Sequence, residues 1–148
     1  MKTNKVRIFN NQSAIKINLN SACLKRILLN ILKMEGKSGF SLNFVFVDNH
    51  QIRKLNRAFL KKNRITDVIA FGYDNQELFP TKGISGDIAV CAEVARRKSK
   101  ELNIDFNKEV LRYCIHGLLH ILGYDDLKTR QKTRMWEKQE YYLSISLP

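Results

Sequence analysis

The sequence predicts an α+β fold in which a small mixed β-sheet carries helices packed against it. Short β-branched or aromatic runs recur along the chain, as in Phe40–Val47 (FSLNFVFV) and Gly86–Cys91 (GDIAVC). Between them lie longer stretches with apolar residues at helical spacing. The two kinds of segment are interspersed without strict β-α-β alternation, which favours α+β over a doubly wound sheet. A length of 148 residues suits one core, so residues 1–148 are expected to form a single domain.

Taken in order, residues 5–19 read as one or two short strands, with Ile15, Ile17 and Leu19 alternating. Ser21 is the expected N-cap of a helix that buries Leu24, Ile27, Leu28 and Ile31 and ends at Gly36 and Gly39. After the strand Phe40–Val47, Asp48 or Asn49 caps a helix turning Ile52, Leu55 and Phe59 inward. Thr66–Phe71 and Gly86–Cys91 read as strands, and Gly72, Pro80 and Gly83 mark the stretch between them as a loop. A basic helix is expected over Ala92–Leu102 and a broadly apolar one over Asn107–Leu122, stopped by Gly123. The segment Lys128–Leu143 reads as a last helix with Met135, Trp136 and Tyr142 as its apolar contacts.

Twenty-six Lys and Arg against fourteen Asp and Glu give a net charge of +12, and the sequence pI is near 9.8. A surplus of that size attracts polyanions and points to nucleic acid or the ribosome as partner. The cysteines Cys23, Cys91 and Cys114 are odd in number and widely spaced, which argues against a disulfide scaffold. The basic start MKTNKVRIFNNQ lacks the apolar core of a signal peptide, and no apolar run reaches membrane-spanning length. A cytoplasmic protein without membrane contact is therefore expected.

The informative segment is His116-Gly117-Leu118-Leu119-His120-Ile121-Leu122-Gly123-Tyr124-Asp125-Asp126. Each helical residue advances about 100°, so His116 and His120 lie about 40° apart on one face. Two imidazoles one turn apart present two nitrogens to one metal ion. A continuing helix would place Asp126 about 240° round from His120. Gly123 can adopt φ > 0, end the helix and bring Asp126 back as a third ligand. Metzincin proteases share the H-x-x-x-H-x-x-G-x-x frame, with a third His in the last place. Zinc held by three protein ligands keeps a position open and acidifies water bound there, as catalytic sites do. The Glu that serves metzincins as general base is replaced by Gly117, which argues against peptide hydrolysis. Asp125, the neighbour of Asp126, is expected to hydrogen-bond a ligand or the turn backbone.

These residues resemble the YbeY family of bacterial endoribonucleases and rRNA maturation factors. Its hallmark H-G-x-L-H-x-x-G-Y-D-H is matched from His116 to Asp126. Leu55-Asn56, Thr66-Asp67-Val68-Ile69-Ala70-Phe71 and Gly86-Asp87-Ile88 follow its other signatures in order, from about residue 42 to residue 142. Two positions depart. The last ligand, usually His, is Asp126, and the family arginine four residues after the Leu-Asn pair is Leu60. Arg57, Lys61 and Arg64 are the candidates to replace that arginine at the substrate phosphate. The resemblance implies a zincin-like fold, one Zn2+ per chain and cleavage of single-stranded RNA. It further implies a role in maturing the 3′ end of small-subunit rRNA and in checking ribosomes.

Three basic clusters support phosphate contact: Arg53, Arg57, Lys61 and Arg64; Arg96, Arg97, Lys98 and Lys100; and Lys128, Arg130, Lys132, Arg134 and Lys138. Asp67 and Asp87 begin strands and are expected in turn or cap hydrogen bonds. His50 is expected on the surface, and Cys114, about 160° from His116, in the core. Two other functions compete with a nuclease: a non-catalytic, zinc-containing ribosome-assembly factor and a metalloprotease.

Overall fold

The computed structural model describes residues 3–73 and 85–147. Four strands, β1 (Lys5–Asn10), β2 (Ser41–Val47), β3 (Val68–Tyr73) and β4 (Ser85–Cys91), form one sheet in the order β1-β2-β4-β3. β1 and β4 each run parallel to β2, while β3 runs antiparallel to β4, so the sheet is mixed as expected. The helices are α1 (Ser21–Met34), α2 (Asn49–Leu60), α3 (Ala92–Leu102), α4 (Phe106–Ile121) and α5 (Thr129–Ser146). No helix among the described residues is long and apolar enough to cross a membrane.

The strand period of two sorts the side chains. Leu42, Phe44 and Phe46 of β2, together with Ile88 and Val90 of β4, point to one face and are buried there beneath α1 and α4. α4 is seated closely because Gly117 faces the sheet. A Cβ there would stand 2.5 Å from Ile88 Cγ2 and 3.1 Å from Val68 Cγ2. α5 packs on the outer side of α4, with Met135, Tyr142 and Leu143 buried. α2 covers one end of the opposite face.

Several sequence expectations need correction. β1 ends at Asn10, and residues 15–19 form no strand. The Gln12 side chain instead closes a loop, accepting from Ile15 N–H at 2.9 Å and donating to Ile15 O at 2.8 Å. Ile17 and Leu19 rest on the core from that loop, which imitates strand alternation. The α1 N-cap is Asn20, whose side chain accepts from Cys23 N–H, so Ser21 is the first helical residue. Asp48 caps α2 in a reciprocal capping box with Gln51. Phe59 is 61% exposed where an inward position was expected, and its ring lies 5.0 Å from that of Phe71. Gly72 belongs to β3, and Pro80 and Gly83 lie outside the described residues. α5 continues to Ser146, and Trp136 is 56% exposed where a core contact was expected.

Candidate metal centre

His116 and His120 occupy the last two turns of α4, on the side turned toward α5. The helix ends in a Schellman motif. Tyr124 N–H donates to Leu119 O and Gly123 N–H to His120 O, both at 3.0 Å, with Gly123 at φ +100°. The reversal brings Asp126 back to the histidine pair. His116 Nε2 and His120 Nε2 are 3.1 Å apart, and Asp126 Oδ2 lies 3.8 Å from the first and 3.5 Å from the second. These three residues could hold one metal ion.

The donor spacing fits such an ion. A triangle with those sides has a circumscribed radius of about 2.0 Å, close to ordinary Zn–N and Zn–O bond lengths. Two imidazoles and a carboxylate also match zinc's choice of ligands. Without a cation the two Nε2 atoms can share one proton in a hydrogen bond, which leaves the Asp126 carboxylate facing them at 3.5–3.8 Å.

The tautomer of His116 is fixed from behind. Its Nδ1 lies 2.7 Å from Gln139 Oε1. Gln139 is buried, and its Nε2 donates to Glu140 Oε2 at 3.0 Å. An ionised carboxylate only accepts, so the amide nitrogen must face Glu140 and the amide oxygen must face His116. His116 therefore donates from Nδ1, which leaves the Nε2 lone pair directed at the site. Glu140 is in turn gripped by Arg112, with Nε–Oε2 and Nη2–Oε1 both at 3.0 Å. Burial pushes the Glu140 carboxyl up, but the bonds from Arg112 and Gln139 outweigh it and hold the group below its ordinary value. Arg112 also pairs with Glu109.

The turn itself is braced twice. Asp125 Oδ1 accepts from Asp126 N–H at 2.7 Å and from Leu127 N–H at 3.2 Å, which is the turn hydrogen bonding expected of it. Tyr124 Oη donates to Glu35 Oε1 at 2.7 Å. Glu35 caps the end of α1 and also accepts from Tyr142 and Lys138. Burial drives the His120 imidazole below its usual value, and the adjacent His116 adds to this, against an opposing pull from Asp126.

The sequence profile of the family Endoribonuclease YbeY matches residues 7–146. The chain belongs to that family. It is 32% identical to Endoribonuclease YbeY of Salinibacter ruber, over 88% of this chain and 85% of the relative. The Chlorobium limicola member is 35% identical, over 85% and 84%. The fold is also similar to a Thermotoga maritima protein solved in solution, with a TM-score of 0.64, 27% identity, and 95% and 88% coverage.

Within this YbeY-family chain, His116 and Asp126 of the metal-capable triad line a cleft of about 300 Å³ together with Lys132, Thr133, Met135, Trp136 and Gln139. Gly117 is not among the walls. A side chain at 117 is directed into Ile88 and Val68, so the helix offers no path for a metzincin-type base there. Arg57, Lys61 and Arg64 are exposed around the end of α2, apart from the cleft lining. Asn56 organises that region, its buried side chain donating to Arg64 O at 3.0 Å. Leu60 is 47% exposed as the last residue of α2.

The basic clusters differ in how far they are engaged. Arg53 donates to Asn63 Oδ1, Arg97 and Lys98 both approach Glu101, and Arg96 lies over the Phe106 ring. Of the third cluster, Lys138 pairs with Glu35, Arg134 lies over Tyr124, and Lys132 faces the cleft. Asp67 accepts from Val68 N–H at the start of β3, as expected, whereas Asp87 lies within β4 and accepts across the sheet from Asn43 of β2. His50 is exposed, and Cys114 is fully buried with its thiol pushed well above the usual range by burial. Gln139, Glu140, Arg112 and Glu35 escaped sequence reasoning. The one signal available for the first was its position seven residues after Lys132 and three after Trp136, on a common helical stripe.

Proposed function

We propose that this chain is a metal-dependent endoribonuclease specific for single-stranded RNA. It acts in the cytoplasm on small-subunit rRNA, maturing its 3′ end and taking part in ribosome quality control, and residues 1–148 serve as one domain with one zinc ion. The observation that carries the reading is the His116, His120 and Asp126 triad, two of whose members line a cleft, in a chain of net charge +12 whose family is named for endoribonuclease activity.

In this reading His116 Nε2, His120 Nε2 and Asp126 Oδ2 hold the ion. When bound, it supplies Lewis acidity toward a phosphoryl oxygen and toward the attacking oxygen. The protein's own groups do the positioning. Gln139 keeps the His116 lone pair directed inward. Asp125 and Glu35 hold the turn that presents Asp126. Lys132 offsets phosphate charge within the cleft, and Arg57, Lys61 and Arg64 hold the backbone farther along the RNA.

The test is cleavage of a labelled single-stranded RNA and of its duplex by the purified, metal-analysed protein, together with the rRNA profile of a depletion strain. Cleavage confined to the single strand, lost in His116→Ala, and accumulation of unprocessed small-subunit rRNA support the reading. An intact single strand with metal loaded would leave an assembly role without catalysis.

A further inference from the structure

The only tryptophan of the chain stands, 56% exposed, in the wall of the metal-site cleft. An exposed indole forgoes the free energy that burying its rings would supply, and the core does not need it, since Met135 beside it is buried and does the packing. Lys132 lies one helical turn before Trp136 and Gln139 three residues after it. One stripe of α5 therefore presents an ammonium, an aromatic face and the amide that orients His116. His116 and Asp126 line the same cleft.

We infer that Trp136 and Lys132 form a nucleotide subsite, in which the indole stacks on an unpaired base next to the scissile phosphate and Lys132 meets the adjoining phosphate. The inference deepens the nuclease reading and rests on it. Every base has a π-face, so the subsite accepts any sequence. A paired base is stacked on its neighbours within a helix and cannot offer its face to Trp136 without being flipped out. The subsite is thus a physical source for preference toward single strands. A cleft of about 300 Å³ is too small for a duplex to enter but has room for one base and its phosphate. Lys132 supplies the charge complement that an apolar protein partner would not require.

The chain's single tryptophan makes the test direct. Rapid mixing with an unstructured 12-nucleotide RNA, read before cleavage, should quench tryptophan emission, and the same strand in a duplex should not. Labelled-RNA anisotropy is followed in parallel. Trp136→Ala should weaken single-strand binding by about 5- to 100-fold and raise KM more than it lowers kcat, while Trp136→Phe should keep most of the affinity. Lys132→Ala should lower the log–log salt slope of binding by about one. Unchanged emission while anisotropy reports RNA binding, equal quenching by the duplex, or wild-type affinity in Trp136→Ala each overturns the subsite. Quenching without cleavage of any RNA supports the subsite and sinks the nuclease reading. Cleavage without quenching does the reverse, and absence of RNA binding overturns both.

Discussion

Gln139 Oε1 and His116 Nδ1 lie 2.7 Å apart, and the far side of the same amide is committed to Glu140. Orientation is therefore passed from an ion pair, Arg112–Glu140, through a neutral amide to a candidate ligand. Gln139→Leu removes the acceptor and leaves the His116 tautomer free. Metal affinity, measured by competition with a chelator, should fall about 10- to 100-fold. Gln139→Glu keeps an acceptor but sets a second carboxylate beside Glu140, so it should recover only part of the loss. Unaltered affinity in Gln139→Leu would mean that the amide plays no part in orientation.

The ligand register makes an asymmetric prediction. Elemental analysis of a His116→Ala, His120→Ala double variant should find no metal. Asp126→Ala should weaken binding severely, Asp125→Ala more mildly through a loosened turn, and Asp126→His should retain metal. Loss in Asp125→Ala with retention in Asp126→Ala would reverse the register.

Gly117→Ala tests how α4 is seated. Alanine is the better helix former by about 1 kcal/mol. Its Cβ, however, would stand 2.5 Å from Ile88 Cγ2, and overpacking of that kind costs about 1–3 kcal/mol. A net loss of about 1 kcal/mol or more should appear in urea unfolding. Combining it with Ile88→Ala, which removes both Cγ2 and Cγ1, should cost less than the sum of the two single losses.

Glu35 ties stability to pH. Burial raises its carboxyl, but hydrogen bonds from Tyr142, Tyr124 and Lys138 outweigh burial and hold it below the ordinary value. A depressed folded-state value means that the contribution is present above the unfolded value, near 4.3–4.5, and is lost as pH falls through the folded one. Urea midpoints should drop as pH falls below about 4.5. Glu35→Gln should start lower at pH 7 and change less over the same range. Parallel curves for the two proteins would refute the assignment.

RNA affinity should fall steeply with salt, because each neutralised phosphate releases counterions. Arg97 and Lys98 already approach Glu101, so replacing them should alter the slope less than replacing Arg57, Lys61 and Arg64. A titration at several ionic strengths distinguishes the two sets.

What the sequence revealed was periodic or covalently local. Helical spacing placed α3 to the residue, and the burial of Leu24, Ile27, Leu28 and Ile31 follows the predicted face. The triad was legible because three donors and one turn glycine sit within eleven residues. Phe59 and Trp136 were misassigned because helical spacing marks a face without saying whether anything covers it. Glu35 was invisible for a different reason. Its partners Tyr124 and Tyr142 are 89 and 107 residues away, and only the packing of α1 against the end of α4 and against α5 brings them together. The same holds for Arg112 and Glu140, 28 residues apart on neighbouring helices.

Gly117 also limits where evolution can take this scaffold. The metal-binding frame differs from that of a metzincin by the missing glutamate after the first histidine, and two nucleotide changes or fewer separate glycine codons from glutamate codons. Yet Glu at 117 would lodge its carboxylate between Ile88 and Val68, where a buried, unpaired charge costs several kcal/mol, and would prise α4 off the sheet. A base introduced at 117 would thus work against the very packing that seats α4 on the sheet. A general base for peptide hydrolysis would have to stand on another wall of the cleft, and α5, which supplies five of the seven lining residues, is the surface that offers most positions for one.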